Sequence, residues 1–148
     1  MHKNRRTQKS NNMKLHIQKD GLLTDIQKQF SGHFPYLKID FYRFPHLDQK
    51  LSPKNERLDK YTSVSQLVKW NDDKLVEIDD QMTISQFESA MEQIGLFTQV
   101  FRKSGRVWIE TSYTDDWSLE KQNEEGKMLS SVHDIDSEKQ IDWDDWNE

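Results

Sequence analysis

The chain has 148 residues, of which 33% are hydrophobic and 32% are charged, and its formal net charge at pH 7 is −5. Its length predicts one domain, and the absence of cysteine excludes disulfides, thiolate nucleophiles and cysteine-ligated metal sites. No stretch of the sequence reaches the roughly 20 apolar residues of a membrane-spanning helix. A cysteine-free chain is compatible with a reducing compartment, and we expect it to be cytoplasmic.

Charge is unevenly distributed along the chain. Residues 1–12 carry a net charge of +4 and residues 132–148 a net charge of −6, which leaves −3 for the body between them. The composition predicts a disordered basic N-terminal tail at 1–12, a single α+β domain at 13–131 and a disordered, acidic, tryptophan-containing C-terminal tail at 132–148. The mildly acidic body disfavours non-specific binding to phosphate backbones.

The first apolar pattern predicts a β–α–β unit. Residues 14–18 alternate apolar and polar side chains, which is typical of a half-buried strand. After the turn at Asp20 and Gly21, a helix is expected to stop near Gly32, and residues 36–44 alternate again as a second strand. The apolar residues at helical spacing are Leu22, Leu23, Ile26 and Phe30.

The segment after this unit is rich in charge and proline, and residues 45–62 predict no regular element. Ser63, with Gln66 three residues later, has the spacing of a capping box. It predicts a short helix that extends to Trp70.

A second unit repeats the pattern of the first. Residues 74–78 predict a strand, Thr83 and Gln86 form a capping-box signature, Gly95 is expected to end the helix, and residues 96–103 predict another strand. One constant shift in residue number, which we call the repeat shift, places Ile17, Leu23, Ile26 and Phe30 on Ile78, Ile84, Phe87 and Met91. We interpret this match as two similar halves; the alternative is that any two β–α–β units align this well.

A β-hairpin and a helix follow the second unit. Residues 100–109 form two strand-like runs around a short link that contains Gly105, which favours a hairpin. Asp115 and Asp116 precede a predicted helix that is expected to stop at Gly126.

Together these elements predict the α+β class. We expect a single sheet of about five strands with helices on one face, built from two β–α–β halves plus a C-terminal hairpin and helix. The arrangement is expected to be ferredoxin-like, with a β-grasp-like sheet as the alternative.

No motif in the sequence indicates catalysis. There is no Gly-x-Ser-x-Gly motif, no glycine-rich phosphate loop and no pair of histidines at the spacing of metal ligands on a helix. Paired acids such as Asp79-Asp80 and Asp115-Asp116 are expected to serve turns and helix N-termini. We therefore predict no catalytic residues, no metal and no cofactor, and an enzyme that uses surface carboxylates and histidines remains a third hypothesis.

A basic cluster at the predicted hairpin is the first candidate binding site. Arg102, Lys103 and Arg106 lie beside Phe101 and Trp108, and such a combination of cations and aromatic rings suits nucleic acid. The central motif of RNA-recognition domains is missing from both candidate strands. The alternative is a solvated turn whose charge discourages edge pairing.

The tryptophans of the acidic tail, Trp143 and Trp146, are the second candidate binding site. Tryptophans flanked by acids suit a short motif that anchors in a basic pocket. The last residues resemble the acidic tails by which bacterial single-stranded-DNA-binding proteins recruit partners. Two alternatives are a tail that folds back onto Arg102, Lys103 and Arg106, and an inert solubilising tail.

These features predict a non-enzymatic binding or adaptor module of an intracellular complex. A protein partner is expected to contact Arg102, Lys103, Arg106, Trp108, Trp143 and Trp146, with no membrane involved. The alternative function is an RNA-binding or single-stranded nucleic-acid-binding domain that uses the hairpin.

Overall fold

A computed structural model describes residues 12–45 and 56–139, with side chains described up to residue 131. The strands are β1 (Met13–Ile17), β2 (Leu37–Tyr42), β3 (Lys74–Ile78), β4 (Phe97–Ser104) and β5 (Val107–Glu110). The helices are α1 (Leu23–His33), α2 (Ile84–Gln93) and α3 (Leu119–Lys139). Single 3-10 turns lie at Val64–Gln66 and Ser112–Thr114. The predicted α+β class is confirmed.

The predicted single five-stranded sheet is wrong. The strands form two antiparallel sheets, one with the order β1-β3 and one with the order β2-β4-β5. Each β–α–β half contributes one strand to each sheet, because its helix connects a strand of the first sheet to a strand of the second. Strands of one half therefore pair with strands of the other half. β1 does not pair with β2, and β3 does not pair with β4.

The pairing supports the predicted repeat. Leu15 lies opposite Val76 in the first sheet and Ile39 lies opposite Val100 in the second, and the repeat shift relates the two members of each pair. Each strand of the first half thus pairs with its equivalent in the second half, and equivalent residues lie opposite each other at the centre of each pair. A two-fold axis between the halves requires this arrangement.

Hydrogen bonds at the helix starts follow the same repeat. The amide of Leu23 donates to Thr62 O at 3.0 Å, and the amide of Ile84, its equivalent in the second half, donates to Trp117 O at 3.0 Å. In both halves, the first turn of the helix thus donates a hydrogen bond to the segment that follows the last strand of that half. In the second half Thr83 Oγ1 also accepts from the amide of Gln86 and the Gln86 side chain accepts from the amide of Thr83, which confirms the predicted capping box.

One hydrophobic core joins the halves. Phe30 of α1 stacks on Phe87 of α2 with ring centroids 5.0 Å apart. All the residues matched by the repeat shift in the sequence are buried in this core: Ile17, Leu23, Ile26, Phe30, Ile78, Ile84, Phe87 and Met91.

Two helix predictions need correction. The predicted helix after Ser63 is a single 3-10 turn, and the Ser63 hydroxyl interacts with that of Ser65 instead of capping. The predicted stop at Gly126 is wrong, since α3 continues to Lys139. A Cβ at Gly126 would lie 2.9 Å from Tyr36 Cβ and 3.1 Å from Lys103 O, so glycine allows α3 to approach β4 closely.

None of the helices in residues 12–45 and 56–139 combines the length and the apolarity that crossing a membrane requires.

Candidate functional site

The predicted hairpin is confirmed as β4 and β5. Ser104 pairs with Val107, so the link consists of Gly105 and Arg106 alone. Gly105 has φ of +67°, which a two-residue hairpin link needs at its first position and which glycine adopts without strain. The tight link fixes the register that places Lys103 opposite Trp108.

Strand alternation separates the predicted basic cluster. Arg102 and Lys103 are adjacent in β4, so their side chains point to opposite faces of the sheet. Arg102 Nη1 donates to Gln122 Oε1 of α3 at 2.9 Å, and its guanidinium lies 5.7 Å from the ring centroid of Trp117. Arg102 therefore joins the hairpin to α3.

Lys103 and Trp108 share the other face of the sheet with Lys38 and Phe101. Lys38 lies opposite Phe101 in the register of β2 and β4. Its ammonium is 5.3 Å from the ring centroids of both Phe101 and Trp108, and the Lys103 ammonium is 5.8 Å from that of Trp108. These four residues form the aromatic–lysine face, in which two cations and two rings lie within cation–π range.

Strand β5 is the edge of its sheet in the part of the chain that the structure describes. The Lys103 amide donates to Tyr36 O, which lies on the β2 side of β4. The amide and carbonyl of Arg102, the residue before it, therefore point to β5. Those of Ile109, which pairs with Arg102, point to β4. The amide and carbonyl of Trp108, one residue earlier, therefore point away from β4. Trp108 thus presents a backbone donor and acceptor at the edge.

The side chains along this strand are unusually exposed for apolar residues. Val107 is 58% exposed, and Trp108 and Ile109 are each 36% exposed. Trp108 lies on the aromatic–lysine face, whereas Val107 and Ile109 lie on the side where Arg102 meets α3. We call Val107, Trp108 and Ile109 the β5 edge; it combines the outward backbone of Trp108 with apolar side chains on both faces.

Other predicted site residues fall in different places. Arg106 lies exposed in the hairpin link, next to the β5 edge. Trp143 and Trp146 lie outside the described residues. The structure thus brings Lys103 and Trp108 together, leaves Arg106 in the adjoining link and places Arg102 on the opposite face.

Sequence reasoning missed Lys38 and a buried polar band beside it. Asp40, Tyr42, Gln99 and Ser112 are all buried polar residues of the three-stranded sheet or its margin. Asp40 Oδ2 lies 3.6 Å from the Arg57 guanidinium and 3.9 Å from the Lys38 ammonium, without a hydrogen-bond partner. One signal was present: Lys38, Asp40 and Tyr42 alternate with the apolar residues of β2, which predicts a polar second face.

The buried phenol of Tyr42 has a displaced titration. Burial raises the pKa of its phenol well above the ordinary value of 10.0, and the carboxylates of Asp40 and Glu110 raise it further. The phenol therefore stays neutral in the folded protein at any physiological pH.

No group of three or more His, Asp or Glu side chains within residues 12–45 and 56–131 is placed to hold a metal ion. His16 is exposed on β1, on the face opposite Leu15 and Ile17, as its alternation predicted. Asp79 Oδ1 accepts from the amide of Gln81, which confirms its predicted role in a turn.

No family model matches the chain, and neither a curated protein nor a solved structure matches it significantly.

Proposed function

We propose that the protein is a non-enzymatic interaction module that binds an extended, acidic segment of a partner protein along the β5 edge. The segment adds to the three-stranded sheet as a further strand. The observation that carries the proposal is the outward-pointing backbone of Trp108 between two exposed apolar neighbours. The cysteine-free sequence is compatible with a cytoplasmic complex.

Strand addition suits the chemistry of this edge. Backbone hydrogen bonds supply affinity, and alternate side chains of the added strand reach the two faces of the sheet. On one face they meet Val107 and Ile109, and on the other they meet Trp108 and the lysines around it. An isolated edge with exposed apolar residues is otherwise an aggregation hazard, so a regular occupant has a clear benefit.

The charges near the edge select an acidic occupant. Lys38 and Lys103 lie on the aromatic–lysine face, and Arg106 lies in the link. Two carboxylates, Asp40 beside Lys38 and Glu110 opposite Phe101, lie on the same face. The positive charge is therefore concentrated at the hairpin end of the edge, at Lys103 and Arg106, where it attracts an acidic side chain.

A displayed library of short random peptides, selected on a chain truncated after residue 139, tests the proposal. We expect enriched peptides that alternate apolar and acidic residues and that shift the amide NMR signals of residues 103–110. Lys103→Glu should weaken binding by about tenfold or more, because a like charge then faces the peptide. Lys14→Glu, on the other sheet, makes the same charge change and should leave the affinity unaltered. Enriched peptides that map elsewhere would refute the proposal.

Single-stranded nucleic acid is the second candidate ligand. It is favoured by Phe101 and Trp108, two aromatic residues on one sheet face with lysines beside them. The Lys38 ammonium already occupies the vicinity of both rings, so a stacked base has to displace it. This candidate predicts that labelled oligo-dT and oligo-U bind the chain truncated after residue 139 at low salt, with an affinity that falls steeply as salt rises. No binding at low salt would eliminate it.

A further inference from the structure

The proposed occupant of the β5 edge carries acidic and apolar side chains, and the chain has a segment with both. Residues 140–148 contain four acidic residues, two tryptophans and no basic residue. We propose that this segment lies along the β5 edge of its own molecule and competes there with the partner segment. The inference rests on the proposed peptide-binding function and adds its regulation.

Charge complementarity is the first support. The cations around the edge are Lys38, Lys103 and Arg106, and the acids of the segment are Asp142, Asp144, Asp145 and Glu148. In an extended segment Asp142, Asp144 and Trp146 share one face, and Trp143 and Asp145 share the other. Where the segment reaches the hairpin, Asp145 and Trp146 therefore point to opposite faces, so the β5 edge receives a carboxylate on one face and a tryptophan on the other.

The path of α3 is the second support. The helix passes the hairpin at Gly126, where a Cβ would lie 3.1 Å from Lys103 O. From there to its last residue, Lys139, the helix rises by about 20 Å. The segment 140–148, when extended, spans up to about 30 Å. The return uses about two thirds of the segment, so the residues from Asp145 onward are the ones that reach the hairpin that the helix has passed.

Binding in cis has a measurable consequence for partner affinity. A segment tethered so close has an effective concentration on the order of 1 mM, so even a weak contact occupies the edge for most of the time. A partner segment must displace it, which lowers the apparent affinity of the full chain and makes the tail a built-in competitor.

Amide hydrogen exchange at Trp108 tests the proposal on the full chain and on a chain truncated after residue 139. The outward amide of Trp108 should exchange about tenfold more slowly in the full chain, because the segment pairs with it. The difference should be the same at a low and a much higher protein concentration. Equal exchange in the two chains, or protection that grows with concentration and so comes from a second copy, would overturn the proposal.

Matched variants separate the charge contribution. Asp144→Asn with Asp145→Asn should accelerate the exchange of Trp108 in the full chain. Asp72→Asn with Glu124→Gln removes two exposed acids elsewhere and should leave it unchanged. If both double variants behave alike, the acids of the segment do not bind the edge and the proposal fails.

A peptide from the display selection distinguishes the two proposals. We expect it to bind the truncated chain about tenfold more tightly than the full chain, since the tail no longer competes. Equal affinities would overturn the competition in cis and leave peptide binding intact. If the selection on the truncated chain yields no peptide that binds it, peptide binding itself is refuted. The exchange rate of the Trp108 amide would then still show whether the tail occupies the β5 edge.

Discussion

Arg102 and Lys103 are neighbours in the sequence but have different surroundings in the fold. Arg102 donates to Gln122, which is fully buried and also donates to Thr114. Lys103 contributes to the aromatic–lysine face. The sequence predicted one basic cluster, because residue type shows the charge of a side chain and only the strand register shows its face.

This difference predicts different losses of stability. Arg102→Ala leaves the buried Oε1 of Gln122 without its donor, so we expect the free energy of unfolding to fall by about 1–3 kcal/mol. Lys103→Ala removes a side chain from a more open face, and we expect a change within about 0.5 kcal/mol. Urea unfolding of both variants provides the measurement. Equal losses would mean that Arg102 does not hold the hairpin to α3.

The raised pKa of Tyr42 predicts that the protein loses stability at alkaline pH. In the unfolded chain its phenol ionises near pH 10, whereas burial, Asp40 and Glu110 raise its pKa above that value in the fold. The folded state therefore retains a proton that the unfolded state loses. Stability from this group is fully present below about pH 10 and declines above it.

Tyr42→Phe should therefore flatten the fall in unfolding free energy between about pH 9 and pH 11. Tyr113→Phe serves as the control, because the Tyr113 side chain is 70% exposed. Urea unfolding at several pH values gives the two slopes. If Tyr42→Phe declines as steeply as the parent chain, the buried phenol is not the cause.

At the scale of elements, sequence signals predicted a helix end correctly where hydrogen bonds within one turn determine it. They failed where contacts with other elements determine it. The capping box of Thr83 and Gln86 predicted the start of α2, because both bonds lie within one turn. Gly126 is a local stop signal, yet α3 continues through it. There glycine permits close contact with Tyr36 and Lys103, a tertiary requirement that a local signal does not contain.

Gly126→Ala and Gly32→Ala should therefore change stability in opposite directions. Alanine favours a helix interior by up to about 1 kcal/mol over glycine. At Gly32, in α1, a Cβ meets nothing within 4 Å, so we expect a gain of that order. At Gly126 the Cβ meets Tyr36 Cβ at 2.9 Å and two backbone oxygens, and we expect a net loss of about 1–3 kcal/mol. Thermal unfolding decides the sign; a more stable Gly126→Ala variant would show that α3 does not need the close approach.

At the scale of the whole molecule, the repeat was predictable and the sheets were not. Apolar spacing indicated two halves related by the repeat shift, and the pairs Leu15–Val76 and Ile39–Val100 follow that shift. Strand partners depend on contacts between distant residues, which alternation within one strand does not specify. The sequence therefore predicted the strands and the hairpin but merged two sheets into one. Lys38 was missed for the same reason, because it joins the site only through its register with β4.

Pairing between halves predicts that neither half folds alone. Residues 13–70 contain β1 and β2, and both of these strands have their paired strands, β3 and β4, in the second half. An isolated half thus leaves strand edges and half of the core exposed. We expect residues 13–70 as a monomer to show no cooperative thermal transition by circular dichroism. A monomeric half with a cooperative transition would contradict the intertwined fold.

The central claim is that a peptide forms backbone hydrogen bonds with the β5 edge, and two substitutions of Trp108 test it most directly. Trp108→Pro removes the outward amide without breaking the ladder to β4, whereas Trp108→Val removes the same ring but keeps the amide. We predict that a peptide selected on the chain truncated after residue 139 binds Trp108→Pro about tenfold more weakly than Trp108→Val, because one backbone hydrogen bond contributes about 1–1.5 kcal/mol. Equal affinities in two equally stable variants would contradict the claim.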